Sequence, residues 1–287
     1  MPRLLEGEPA RSALDAALAR VAGLVPHLTA DTGPRPPVPD GGPDRPVPAD
    51  GEWTACSDLI DDPHWLGRVV RSTGVGIGTD DPVVAASIFV QGYSYRVLTL
   101  TVACLTASGV VPDASAPATA VALARHWPSR LRFVGTRVTV LDTDPATTPT
   151  DSPTLTEALR LVVHQCVELH LAPLVDSVRA GIGVAIGERL LWGNIAASAA
   201  TAFRTMEGCL GPFVEPLGER FFALAPPILQ GLGSFLVIDT GRRRGWFWER
   251  TNCCLFDRLP GAVRCADCSR TPSAVRRAAY REFLDQP

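Results

Sequence analysis

Four of the eight cysteines fall inside sixteen positions near the end of the chain: Cys253, Cys254, Cys265 and Cys268. The spacing is an adjacent pair, ten residues, then a pair separated by two. Four clustered thiols in a reducing compartment oxidise readily unless something binds them. A metal centre is therefore expected, and it fixes how this end of the chain folds. Two chemistries compete, structural zinc and an iron–sulfur cluster. Cys265 and Cys268 have the short spacing that lets two sulfurs face one ion. Cys253 and Cys254 do not, because adjacent side chains in extended backbone point to opposite faces. A two-iron centre takes two ligands on each iron and tolerates an adjacent pair better than one zinc does. The spacing favours iron–sulfur and leaves zinc open.

The rest of the composition is that of an ordinary globular chain. Of 287 residues, 46% are hydrophobic and 20% charged, which excludes wholesale disorder and supplies a sizeable core. The net charge of −3 lacks the basic excess of a nucleic-acid binder. All 27 basic residues are Arg, which reads as genomic base composition. The first twenty residues carry charges throughout and lack the apolar core of a signal peptide. The longest apolar run, Val83 to Val111, holds Gln91 and Arg96 and reads as a buried core helix, not a membrane span. The expected compartment is the cytoplasm, where thiols stay reduced. Cys56, Cys104, Cys166 and Cys209 stand singly in apolar or helical surroundings and are expected to be buried small hydrophobes.

Along the chain, residues 9–28 show helical apolar spacing, and residues 32–51 are dense in Pro and Gly, as in a linker. Asp62-Pro63, Asp81-Pro82 and Ser152-Pro153 each pair a capping residue with Pro and open a helix. Residues 131–141 predict a strand or hairpin, and 182–206 a mostly buried helix. Residues 234–239 and 246–250 flank a Gly-bounded turn and predict a hairpin. A basic amphipathic helix over 272–284, capped by Thr271, closes the chain and would permit at most a peripheral membrane contact.

The segment TNCCLFDRLPGAVRCADC resembles the terminal signature of FhuF-type ferric siderophore reductases, which carry a 2Fe-2S cluster on C-C-x10-C-x2-C. LWGNIAASAA (191–200) and TDDPVVAASIFVQGY (79–93) resemble upstream segments of the same family. The resemblance implies that Cys253, Cys254, Cys265 and Cys268 are the cluster ligands. It also implies that one electron passes to Fe(III) held by a siderophore. The expected organisation is an N-terminal helix (1–30), a Pro/Gly-rich linker (31–52), a FhuF-like body (53–250) and a cluster-binding segment (251–287). The expected fold class is α+β, predominantly helical, with a small antiparallel sheet. Two other functions stay open: a zinc-stabilised chelate-binding module without redox activity, and an iron–sulfur protein serving another acceptor.

Around the cysteines, Arg250, Arg258 and Arg264 are candidates to tune the cluster potential or meet an anionic chelate. The competing reading for each is a solvated surface charge. Trp246 and Trp248 share a strand face, which usually means core, with Trp248 also a candidate platform for the substrate. Arg242, Arg243 and Arg244 read as an exposed hairpin tip. His164, Cys166, Glu168 and His170 crowd one helix, but His164 and Glu168 share one face while Cys166 and His170 share another, so they cannot converge on one ion. GIGVAIG (181–187) and GVGIG (74–78) lack the strand-to-helix context of a dinucleotide loop. With no nucleotide site visible, the electron donor is expected to be external: a ferredoxin, a flavodoxin or an NAD(P)H-dependent reductase.

Overall fold

The computed structural model describes residues 2–38 and 45–286 except 125 and 126. Part of the 31–52 linker therefore lies outside the described residues. Its centre is α4 (Pro82–Ser108), apolar on every side and buried accordingly. Asp81 opens it by accepting from the backbone N–H groups of Val83 and Val84, and Gly109 closes it in the left-handed region at φ 64°. Against α4 lies α7 (Glu188–Leu210). Its run from Ala196 to Ala200, four Ala and one Ser, is buried all round the helix and small enough for close packing. Ser94 donates to Ser198 across the seam at 2.9 Å.

The other proline-marked helices begin where the sequence places them. For α3 (Pro63–Gly76), Asp62 accepts from Trp65 N–H at 2.9 Å. For α5 (Pro153–Val162), Ser152 accepts from Leu155 N–H at 3.2 Å. Beyond α5 the backbone winds into a π-helix at Val163–Leu171 before returning to an α-helix, α6 (Ala172–Gly181). The N-terminal helix α1 (Gly7–Leu24) buries Ala10, Leu14, Ala17, Leu18 and Val21 in the same core as α4 and α7.

The sheets are small and mixed. In the first, β1 (Arg3–Glu6) and β4 (Val110–Pro112) flank β7 (Arg137–Val140), all antiparallel. The second runs β2 (Ala30–Thr32), β6 (Trp127–Phe133), β5 (Thr119–Ala124), β3 (Trp53–Ala55), with β2 and β6 parallel. The 131–141 segment thus makes two strands but no hairpin, because β6 and β7 belong to different sheets. The expected C-terminal hairpin is present as β8 (Gly233–Asp239) and β9 (Arg244–Arg250), paired in register from Gly233–Arg250 to Asp239–Arg244.

This hairpin is covered on both faces. Trp246 and Trp248 turn into the main core, where Phe235 stacks on Trp246 and Phe222 on Trp248. Phe247 turns outward onto Tyr280 of α9 (Ser273–Asp285), with Ile238 and Leu284 completing a second small cluster. Pro272, not Thr271, precedes the first residue of α9, and no side chain caps it. The expected 182–206 helix starts later, at Glu188, because residues 182–187 turn through Gly183 at φ 78°. Two helical runs, Pro82–Ser108 and Pro153–Gly181, are long and apolar enough to cross a membrane by length and composition. In their most apolar windows 83% and 56% of residues are buried inside the molecule. In the sequence only the first stands out as a long apolar run.

Candidate cluster site

The cysteine loop begins where β9 ends. Alternation along β9 puts Trp246, Trp248 and Arg250 on the core-facing side and Phe247 and Glu249 on the side facing α9. The chain then runs through Thr251 and Asn252 to the adjacent cysteines and reverses at Leu255. Among the described residues Leu255 is the one non-glycine with a positive φ, 65°. That conformation costs a Leu on the order of 1 kcal/mol. It folds the backbone so that Leu255 N–H donates to the Cys253 sulfur at 3.3 Å. Cys265 and Cys268 sit on one tight turn, closed by Cys268 N–H donating to Cys265 C=O at 3.1 Å.

The four sulfurs occupy two environments. Cys254 and Cys268 are buried; Cys253 and Cys265 are half-exposed. Cys254 and Cys265 approach to 3.3 Å between sulfurs. Cys253 lies within electrostatic reach of Cys268 and Cys254. One close contact therefore joins the adjacent couple to the Cys-x2-Cys couple, and Cys253 stands near enough to Cys254 and Cys268 to feel their charge. Four thiols gathered in one loop supply the ligand number of a centre with two ligands on each of two metal positions.

The electrostatics single out Cys254 as the thiol most readily held as thiolate. The Cys254 thiol is pulled down to about 6, chiefly by the hydrogen bond from Cys265, with help from the Arg250 charge and Phe256 N–H. As the donor in that bond, Cys265 is pushed up. Burial raises Cys253.

Arg250 is the decisive neighbour. Its residue is 2% exposed, and among the described residues it makes no ion pair. It donates to Asn194 Oδ1 at 2.6 Å, while its Nε has no partner. Asn194 in turn donates to the Ser87 carbonyl and hydroxyl, each at 2.8 Å, and Ser87 donates to Cys254 C=O at 2.7 Å. A buried cation with no anion costs several kcal/mol. An anionic cluster on the adjacent cysteines supplies the missing charge, so the residues present fit a 2Fe-2S centre.

Other sequence candidates are placed differently. Arg258 pairs with Asp81 at 3.7 Å and Arg264 with Asp257 at 3.7 Å, both with half-exposed side chains. Asp257 also takes Arg270 at 2.9 Å. Trp248 lies 4% exposed in the aromatic stack, where it lines a cavity with Phe222, Phe235 and Gln230. Arg244 pairs with Glu215. His164 and Glu168 meet on the surface at 2.8 Å while Cys166 and His170 are buried, so the four do not converge. Cys56, Cys104 and Cys166 are buried as expected, but Cys209 is exposed on the last turn of α7.

Four residues went unassigned in the sequence. Asn194 and Ser87 are polar side chains embedded in apolar helical runs, which is the signal that would have found them. Gly193 is fixed by close approach, since a Cβ there would sit 1.9 Å from the Asn252 side chain. Arg276 of α9 is also buried and donates to Cys268 C=O at 3.0 Å.

Comparison with known families now decides the assignment. Residues 87–240 match the family model described as ferric iron reductase FhuF-like transporter, and residues 250–270 match the FhuF 2Fe-2S C-terminal domain. The chain belongs to the FhuF family. The first match takes in Ser87, the rest of α4 beyond it and α7, and the second the four cysteines and Arg250, so the buried relay joins the two matched regions. No curated protein sequence matches the chain. Among solved structures, the aerobactin synthetase IucC of a hypervirulent Klebsiella pneumoniae pathotype is similar, at 17% identity and TM-score 0.40. The similarity covers 63% of this chain and 32% of the synthetase, so the chain spans about a third of that protein's length.

Proposed function

We propose that this FhuF family member is a cytoplasmic ferric siderophore reductase that passes one electron to siderophore-bound Fe(III) and releases Fe(II). The bound 2Fe-2S cluster supplies a one-electron carrier of low potential. Cys253, Cys254, Cys265 and Cys268 hold it. The single observation that carries the reading is the pairing of a buried, anion-less Arg250 with a cysteine loop that leaves two sulfurs half-exposed. Burial on the Arg250 side keeps solvent from the inner pair. Exposure on the Cys253 and Cys265 side brings a bulky acceptor within electron-transfer distance. Arg250 favours the more negative, reduced state, and Asn194 holds its guanidinium in place.

A siderophore binds Fe(III) tightly through hard oxygen donors, and reduction to the less charged Fe(II) loosens that grip. An external ferredoxin, flavodoxin or NAD(P)H-dependent reductase supplies the electron. α9 offers at most a peripheral membrane contact, because Arg276 and Arg277 are engaged with Glu249.

The test uses anaerobically purified protein. Iron, zinc and acid-labile sulfide are counted, the dithionite-reduced form is examined by EPR, and the reduced protein is mixed with ferric chelate beside an Fe(II) trap. The expected result is about two irons and two sulfides per chain, a reduced-state signal, and one trapped Fe(II) per cluster oxidised. One zinc without sulfide would replace this reading with a chelate-binding module. A full cluster that reduces no ferric siderophore would replace it with electron transfer to another acceptor.

A further inference from the structure

A cavity of about 460 Å³ opens directly beside Cys265. It lies where α4, α7, the start of β6 and the cysteine loop meet. The aromatic wall is Tyr95 and Trp127; the loop contributes Phe256, Val263, Arg264 and Cys265. Gln91, Ser198 and Thr201 add neutral polar groups from the two central helices.

Several features show a formed pocket instead of a gap between elements. Gly92 lets the Trp127 indole lie against α4, since a Cβ at that position would stand 2.4 Å from the ring. The Tyr95 hydroxyl is held by His27 at 3.3 Å, and the Arg96 guanidinium covers its ring at 5.5 Å. Val263 is 79% exposed and Phe256 39% exposed, two apolar side chains presented to solvent by the loop that carries the ligands. Among the described residues no carboxylate lines the cavity, and Arg264 is its one charged group. An apolar, partly aromatic concavity of a few hundred Å³ with few polar groups is the usual form of a small-molecule site.

We infer that this cavity is the docking site of the ferric chelate, with Trp127 and Tyr95 as the wall that receives the chelate's organic flank and Cys265 as the point of electron exit. The inference rests on the reductase reading above and gives that reaction a location. The step is an outer-sphere transfer: one electron leaves the reduced centre, Fe(III) in the chelate becomes Fe(II), and no bond to the protein forms or breaks. Trp127 and Tyr95 act as positioning residues. They hold the chelate against the loop and leave the centre's potential unchanged.

The Ga(III) complexes of a tris-hydroxamate and of a tris-catecholate chelator serve as binding probes, because Ga(III) does not accept the electron. Each is titrated into oxidised holoprotein by calorimetry, for wild type, Trp127→Ala and Thr201→Trp. Thr201 is exposed on α7, so a bulky side chain there fills the cavity without entering the core and decides the matter if Trp127→Ala fails to fold. At least one probe is expected to bind wild type, and each variant should weaken it tenfold or more with cluster spectrum and midpoint potential unchanged. Binding of neither probe to wild type, or equal binding to all three proteins, would overturn the inference.

Electron transfer from the dithionite-reduced proteins to the corresponding Fe(III) chelates separates this inference from the function it rests on. Fast transfer in wild type and in both variants alike removes the docking site and keeps the reductase. Cavity-dependent binding with no transfer in wild type keeps the docking site and removes the reductase.

Discussion

The chain holds two populations of cysteine, and they differ in what surrounds the sulfur. Cys104 and Cys166 lie in the helical body with no cation beside them, and burial pushes their thiols up to about 12. Cys56, also in the body, is pushed up to about 11 by burial. Cys254 is equally hidden by exposure, at 2%, yet its thiol falls to about 6. Burial alone therefore does not decide what a cysteine is for. In the body, burial outweighs the few hydroxyl groups and the distant Arg35 charge near these thiols, so they stay neutral and pack. The loop surrounds Cys254 with a second sulfur, a backbone N–H and the Arg250 charge, which outweigh burial and favour its thiolate, the form that ligates metal.

The widest separation should come from replacing one cysteine of each kind. Cys265→Ser is expected to lose most iron and sulfide and the visible absorption of the centre, with the helical far-UV spectrum retained. Cys166→Ser should keep a full complement of iron and sulfide. Its cost should appear in stability, about 1–3 kcal/mol by urea titration, because a hydroxyl replaces a buried thiol. A folded Cys166→Ser protein without cluster would erase the distinction between the two populations.

Arg250 offers the next largest effect. A unit charge a few ångströms away at an effective dielectric of about 20 is worth about 2–4 kcal/mol, on the order of 100 mV for one electron. Arg250→Gln keeps a donor for Asn194 and removes the charge. Its midpoint potential is expected to fall by about that amount in spectropotentiometric titration, with cluster content unchanged. An unchanged potential would assign Arg250 to holding the loop and not to tuning it.

How far the sequence revealed this arrangement depends on the kind of signal. The four cysteines were legible as a candidate metal centre because their spacing clusters them, and the family resemblance names them as cluster ligands. The three X-Pro helix starts were legible because capping is local chemistry. Arg250 was half legible: the same alternation that marked Trp246 and Trp248 as core-facing places Arg250 on their face, two residues on. Read as a charge it belonged outside, and the anion that brings it inside is not part of the polypeptide. Asn194 and Ser87 were quoted within family-like segments, but their roles depend on α4, α7 and the loop meeting in space. The β6–β7 segment read as a possible hairpin, and only the long-range partners β1 and β4 reveal that its strands part into two sheets.

Away from the loop, the helical body contains its own buried titratable group. His170, at the end of the π-helix, donates from Nδ1 to Ala114 C=O at 2.7 Å and meets the Tyr93 hydroxyl at 2.8 Å. Burial lowers its folded-state value to about 4, so it stays neutral. An unfolded His titrates near 6.5. As pH falls below that value the unfolded chain takes up a proton that the folded one refuses, and stability drops. The loss is complete only at the folded value, and amounts to about 3 kcal/mol between pH 6.5 and pH 4. Urea midpoints measured across that range should slope accordingly, and the slope should flatten in His170→Gln. The cluster potential should not follow this slope, since nothing in the His170 network touches the cysteine loop.

The smallest effects are expected at Arg258 and Arg264, although in the sequence they stood on equal terms with Arg250. Each has a carboxylate partner at 3.7 Å and a half-exposed side chain, so its field is both compensated and screened by water. Arg258→Ala and Arg264→Ala should each shift the potential by less than about 20 mV and stability by less than about 0.5 kcal/mol. The two should nevertheless differ from each other. Arg258 ties the loop to Asp81 at the start of α4, whereas Arg264 lines the cavity beside Cys265. Arg264→Ala should therefore change the affinity for a Ga(III) chelate at constant potential, and Arg258→Ala should change neither. A potential shift in either variant as large as that of Arg250→Gln would mean that closeness in sequence, and not burial without a counter-ion, selects the tuning charge.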